Sequence, residues 1–111
     1  MNYVAGWDGG GTKTAVTIAD ERGAIAHAFV AGPLNYNGQD EASVRAEIAR
    51  ICAEIARVCG GLNRCAHMCV GAAGMSNPSV RGRLEAHIRE SGYGGGLLLV
   101  GDHETALYGA H

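Results

Sequence analysis

The sequence has little of what binding to nucleic acid or a membrane would require. Aromatic residues make up 5% of the 111 residues, with one tryptophan and one phenylalanine, too few for a surface on which bases could stack. Charged side chains account for 18% and the formal net charge is -2, so there is no basic field to attract a phosphate backbone. No apolar run approaches the roughly 20 residues that span a bilayer, and the first residues carry neither the basic nor the apolar region of a secretory signal. These absences lead to the expectation of a cytoplasmic protein with no nucleic-acid and no membrane partner. A hydrophobic fraction of 47% excludes wholesale disorder, and the length allows one small domain with a single core.

The cysteines also lack a pattern. Cys52, Cys59, Cys65 and Cys69 match neither paired C-x-x-C knuckles nor a redox C-x-x-C. Cys52 and Cys59 share one face of a predicted helix and Cys69 falls inside an apolar strand, so buried free thiols acting as small hydrophobes are the expectation. A zinc or iron-sulfur site is the alternative.

Glycine, by contrast, is abundant, with 18 residues. Three of them follow a short apolar strand, residues 3–7, in the run Asp8-Gly9-Gly10-Gly11-Thr12-Lys13-Thr14. Without Cβ atoms, Gly9, Gly10 and Gly11 leave the backbone free to adopt positive φ and to bring its N–H groups against a polyphosphate. Thr12 and Lys13 add a hydroxyl and a cation, and Asp8 is placed to hold a magnesium ion through water. The run is not a Walker A loop. That loop has different glycine spacing and opens a helix, whereas residues 14–19 alternate as a strand does. An ordinary glycine-rich hairpin that binds nothing is the competing reading.

Further along, residues 24–31 read as a third strand after the turn Asp20-Glu21-Arg22-Gly23. Residues 32–38 form a loop rich in turn residues and amide side chains, with Asn35 and Asn37 able both to donate and to accept hydrogen bonds. Val44, Ile48, Ile51, Cys52, Ile55, Val58 and Cys59 recur at helical spacing from about residue 40 to residue 59, before Gly60-Gly61. Arg45, Glu47, Arg50, Glu54 and Arg57 then form a solvated face. A buried strand is predicted over 66–73, with the small-residue exit Gly71-Ala72-Ala73-Gly74, where a ligand or a packed helix could approach the backbone. A second helix starts at Ser76 or Asn77 before Pro78, buries Val80, Leu84 and Ile88, and stops at Gly92. The last strand, 97–100, delivers Gly101 and Asp102 to the edge that carries Asp8 if the strands are parallel. Residues 103–110 read as a helix; its first residue, His103, is a surface or packing residue or else a catalytic imidazole.

The element order and motifs resemble the ribonuclease H-like half of the sugar kinase, Hsp70 and actin superfamily. The expected fold is α/β, a mixed five-stranded sheet with the order β-β-β-α-β-α-β-α. Asp8 to Thr14, the loop Gly32-Pro33-Leu34-Asn35-Tyr36-Asn37, the turn Gly71-Ala72-Ala73-Gly74 and Gly101-Asp102 with Ala106 to Ala110 are similar, in this order, to motifs of the BadF/BadG/BcrA/BcrD ATPase family, which includes hexosamine kinases. The resemblance spans essentially the whole chain and implies phosphoryl transfer from ATP to the hydroxyl of an amino sugar. It assigns Asp102 as general base beside the sugar, Asp8 to Mg2+, Gly9, Gly10, Gly11, Thr12 and Lys13 to the ATP phosphates, and Asn35, Asn37 and Gly74 to the sugar. Asp102 has a second reading as the N-cap of the last helix.

Family members carry a second lobe with another phosphate motif and the adenosine pocket. The resemblance therefore implies that residues 1–111 are an N-terminal lobe, inactive alone, with weak ATP affinity at most. A homodimer is compatible with the sequence, and a sheet face left bare by the absent lobe could drive an artificial one. The alternatives are a BadF-type ATPase that activates a partner reductase, and a non-catalytic sugar-sensing module.

Overall fold

Side chains two residues apart in an extended chain share a face, and the second strand shows the consequence directly. In the computed structural model, which describes residues 2–10, 12–34, 40–72 and 77–101, β2 (Thr14–Asp20) buries Thr14, Val16 and Ile18 and exposes Ala15 and Thr17. β1 (Tyr3–Gly9) and β3 (Ile25–Ala31) pair antiparallel with it on either side. Gly23, at φ 88°, supplies the positive φ that the turn between β2 and β3 requires. β1 runs two residues beyond the strand predicted from the sequence: Asp8 and Gly9 stay in the ladder opposite Ala15 and Thr14.

The helix α1 (Glu41–Cys59) starts where the Asp40 carboxylate accepts a hydrogen bond from the Ser43 N–H at 2.8 Å. It ends at Gly60, whose left-handed φ of 84° lets its N–H donate to the Ala56 carbonyl. A short 3-10 turn (Leu62–Arg64), not expected from the sequence, leads into β4 (Cys65–Ala72). The helix α2 (Pro78–Glu90) is capped by Asn77, with proline at its first position, and β5 (Gly96–Val100) follows. The helix predicted over 103–110 lies outside the described residues. No described helix is long and apolar enough to cross a membrane.

The sheet order is β3-β2-β1-β4-β5, with β4 parallel to β1 and β5 parallel to β4. Both helices pack over one face. α1 lies against β3 and β4, and α2 against β5 and α1. Trp7, Val16, Ile18, Met68 and Val70 from the strands meet Ile48, Ile51, Ile55, Leu84 and Ile88 from the helices in one apolar cluster. The opposite face carries Val4, Ile25, Val30 and Leu98, all exposed.

All four cysteines are free; Cys52, Cys59 and Cys65 are buried and Cys69 is half-buried. Burial pushes the Cys52 and Cys65 thiols up to about 11, so neither carries an appreciable thiolate fraction near neutral pH. Cys69 is aligned with Gly6 and with the exposed Leu98 on the open side of the sheet. A brief treatment of the native chain with a maleimide, read by mass spectrometry, is expected to give one adduct, on Cys69. Comparable labelling of Cys52 would contradict the packing described.

Candidate phosphate and sugar site

Three chain exits meet at one edge of the sheet because β1, β4 and β5 run the same way. The register sets Asp8 beside Gly71 and Gly71 beside Val100. The glycine turn after β1, the small-residue exit of β4 and Gly101 after β5 therefore leave the sheet at neighbouring positions. Ligands of open α/β sheets bind at such carboxyl ends. Asp102 is the residue after Gly101 and lies, with Gly11, Asn35, Asn37 and Gly74, outside the described residues.

Asp8 is exposed, and its carboxylate makes no hydrogen bond or ion pair with any described residue. A carboxylate beside a glycine turn, unpaired among the described residues, would suit magnesium, which keeps most of its waters and takes few protein ligands. Among the described residues no three His, Cys, Asp or Glu side chains converge as a complete metal site.

The turn itself is tight, with the Gly10 N–H donating to the Lys13 carbonyl at 2.8 Å. Thr12 and Lys13 are exposed on it. Neither Gly9 nor Gly10 uses the positive φ that the glycine run suggests. At Gly9 the reason for glycine is space, since a Cβ there would lie 2.9 Å from the Gly71 carbonyl oxygen and 3.1 Å from the Ala72 Cβ. This glycine lets β1 and β4 close against each other directly beneath the turn.

The chain leaving β3 is tied down at Gly32. Thr14, completely buried, donates its hydroxyl hydrogen bond to the Gly32 carbonyl at 2.8 Å. The Gly32 N–H donates to a carboxylate oxygen of Glu47 on α1. Leu34, 1% exposed, plugs into the core immediately before Asn35 in the chain. This corrects the expectation that the charged positions of α1 form a purely solvated face. Glu47 turns to the loop root, and Glu54 reaches His27 on β3 at 3.1 Å. The Arg57 guanidinium beside Glu54, with help from His27, holds its carboxyl down to about 2. The sequence signal for both was their place: Glu47 and Glu54 flank the buried stripe of Val44, Ile48, Ile51 and Ile55 rather than opposing it.

This meander, followed by alternating helices and strands in the order 3-2-1-4-5, is a ribonuclease H-like α/β fold. It matches Thermus thermophilus RuvC in complex with a Holliday junction substrate at a TM-score of 0.55 and 14% identity, over 94% of this chain and 67% of that one. Within this class, the sequence is 32% identical over 110 residues, 98% of the chain, to N-acetylmuramic acid/N-acetylglucosamine kinase of Clostridium acetobutylicum, and it is homologous to that enzyme. The structure superposes on a candidate N-acetylglucosamine kinase from Chromobacterium violaceum with a TM-score of 0.74 and 24% identity, over all of this chain and 39% of that one. A candidate N-acetylglucosamine kinase from Porphyromonas gingivalis gives 0.70 and 20%, over 89% of this chain and 34% of that one. The chain spans only 36% of the length of the Clostridium kinase. No protein-family profile matches it.

Proposed function

We propose that residues 1–111 form the N-terminal ribonuclease H-like lobe of a longer, cytoplasmic hexosamine kinase of the BadF/BadG/BcrA/BcrD type, which transfers the γ-phosphate of ATP to a sugar hydroxyl. The observation that carries this reading is the similarity to a named N-acetylmuramic acid/N-acetylglucosamine kinase along nearly the whole chain. The convergence of the glycine turn, the β4 exit and Gly101 at one sheet edge supports it.

In this reading Gly9, Gly10 and Gly11 keep the turn slim enough for phosphates to approach. The engaged Gly10 amide makes this glycine's contribution one of shape. Thr12 supplies a hydroxyl and Lys13 a cation to the phosphate oxygens. Asp8 would hold Mg2+, which when bound neutralises charge on the transferring phosphate. Asn35, Asn37 and Gly74 contact the sugar, and Asp102 accepts the proton of its attacking hydroxyl. One lobe encloses its reactants on one side only, so the 111-residue chain by itself is expected to bind ATP weakly and to be inactive.

The test is ATP consumption by the full-length protein with glucosamine, N-acetylglucosamine, N-acetylmuramic acid and glucose in turn. Turnover that requires one of the amino sugars is the expected result. Hydrolysis without any sugar would point instead to an ATPase that activates a partner reductase. The buried positions of Cys52, Cys59 and Cys65 weigh against that reading, because it expects cysteines able to share an iron-sulfur cluster between subunits. Sugar binding without turnover would point to a sensor.

A further inference from the structure

The Gly32 peptide is gripped from both sides by residues that none of the four sequence motifs singles out for this purpose. On one side is the buried hydroxyl of Thr14, the residue that closes the glycine turn; on the other is the carboxylate of Glu47, reaching down from α1. We infer that Thr14 and Glu47 are positioning residues that lock residues 32–34, the chain segment leading to Asn35, to the turn after β1, so that the sugar-side motif and the glycine turn start from one joint. The inference rests on the proposed kinase reading for its functional consequence, though not for the joint itself.

Four features make the joint specific. Glycine at position 32 leaves room for the carboxylate, since a Cβ there would come within 2.9 Å of the Glu47 carboxylate oxygen and 3.1 Å of its carboxyl carbon and would push that side-chain end away. The second Glu47 oxygen faces Arg50 at 3.3 Å, which orients the carboxylate toward the loop. Only 15% of the Glu47 side chain is exposed, so its hydrogen bond to the Gly32 N–H is shielded from competing water. Leu34, buried two residues later, gives the described start of this segment a second anchor in the core. A hydrogen bond between an N–H and an ionised carboxylate is about twice as strong as a neutral pair, which suits a tie at the exit of β3.

The joint is tested first on the 111-residue chain with no ligand, by residue-resolved amide hydrogen exchange. Glu47→Leu and Thr14→Val are each expected to speed exchange at Gly32 by about tenfold or more, with protection in the middle of α1 unchanged. Glu47→Gln, which keeps an acceptor oxygen, and Thr14→Ser, which keeps the hydroxyl, are expected to restore most of the protection. Unchanged exchange at Gly32, or acceleration spread evenly over the lobe, overturns the joint.

The functional half is read in the full-length protein. Glu47→Leu is expected to raise KM for the sugar about tenfold while KM for ATP stays within about twofold, with recovery in Glu47→Gln. Equal changes in both constants, or a change in neither, would overturn the positioning role. Because the exchange measurement needs no sugar and no nucleotide, failure of the kinase reading and failure of the joint would be seen separately.

Discussion

Trp7→Ala is expected to lower the stability of the chain by about 3–5 kcal/mol, a large part of the roughly 5–15 kcal/mol typical of a small domain. Trp7 is completely buried, and its register partners are Val16 on β2 and Val70 on β4. It therefore fills the middle of the apolar layer between the sheet and α1, where removal of an indole leaves a cavity that backbone ladders on both sides cannot close. Its ring also lies one residue before Asp8, so the turn above it would loosen with the core. Urea unfolding followed by circular dichroism measures the loss. Trp7→Phe is the informative control. The indole Nε1 has no hydrogen-bond partner among the described residues, so phenylalanine gives up volume but also removes an unpaired buried donor. Its stability is expected within about 1.5 kcal/mol of the parent. An unchanged urea midpoint for Trp7→Ala would contradict the central place assigned to this side chain.

Asp102→Asn in the full-length protein is expected to reduce sugar-dependent turnover by about 10²–10⁴-fold, with little change in KM for the sugar. Asparagine matches the carboxylate in shape and still accepts a hydrogen bond from a hydroxyl, but it cannot take up the proton released as the new phosphorus-oxygen bond forms. Ground-state binding should thus survive while the chemical step fails. The supporting observation is that β5 runs parallel to β1 through β4, which brings Gly101, the residue before Asp102, out at the edge that carries Asp8. Turnover within a few-fold of the parent, together with a lower melting temperature, would reassign Asp102 to helix capping.

Much of the fold was legible because its signals are local. Alternation in residues 14–19 predicts β2, the stripe of Val44, Ile48, Ile51, Cys52 and Ile55 predicts α1, and Gly60 marks its end; each depends on neighbours within a turn or two. The register of β1 was less legible. Asp8 and Gly9 read as loop because aspartate and glycine are poor strand formers, yet pairing on both sides keeps them in the sheet. The same long-range pairing explains why Gly9 is glycine: the crowding comes from Gly71 and Ala72, far away in the chain. Glu47 was misread for the related reason that helical spacing tells which side of α1 is apolar but not what lies at its margin. The β3 exit passes that margin, and a backbone N–H there finds the carboxylate. The candidate site was legible as motifs, while the ties among the motifs, Thr14 to Gly32 to Glu47, depend on contacts between distant segments.

The mixed sheet also has a temporal consequence. The β1–β2 and β2–β3 ladders each close over a short turn, whereas β1 can meet β4 only after β2, β3 and α1 have been synthesised. Closing a short loop sacrifices little chain entropy, and distant parallel pairing sacrifices more. On a ribosome the meander can therefore zip while the rest of the chain is still inside the tunnel, carrying a preformed glycine turn. The arrival of β4 beside Gly9 then commits the sheet to its final form, and a bulky side chain at residue 9 would be felt as a late block to assembly rather than as an early failure to collapse.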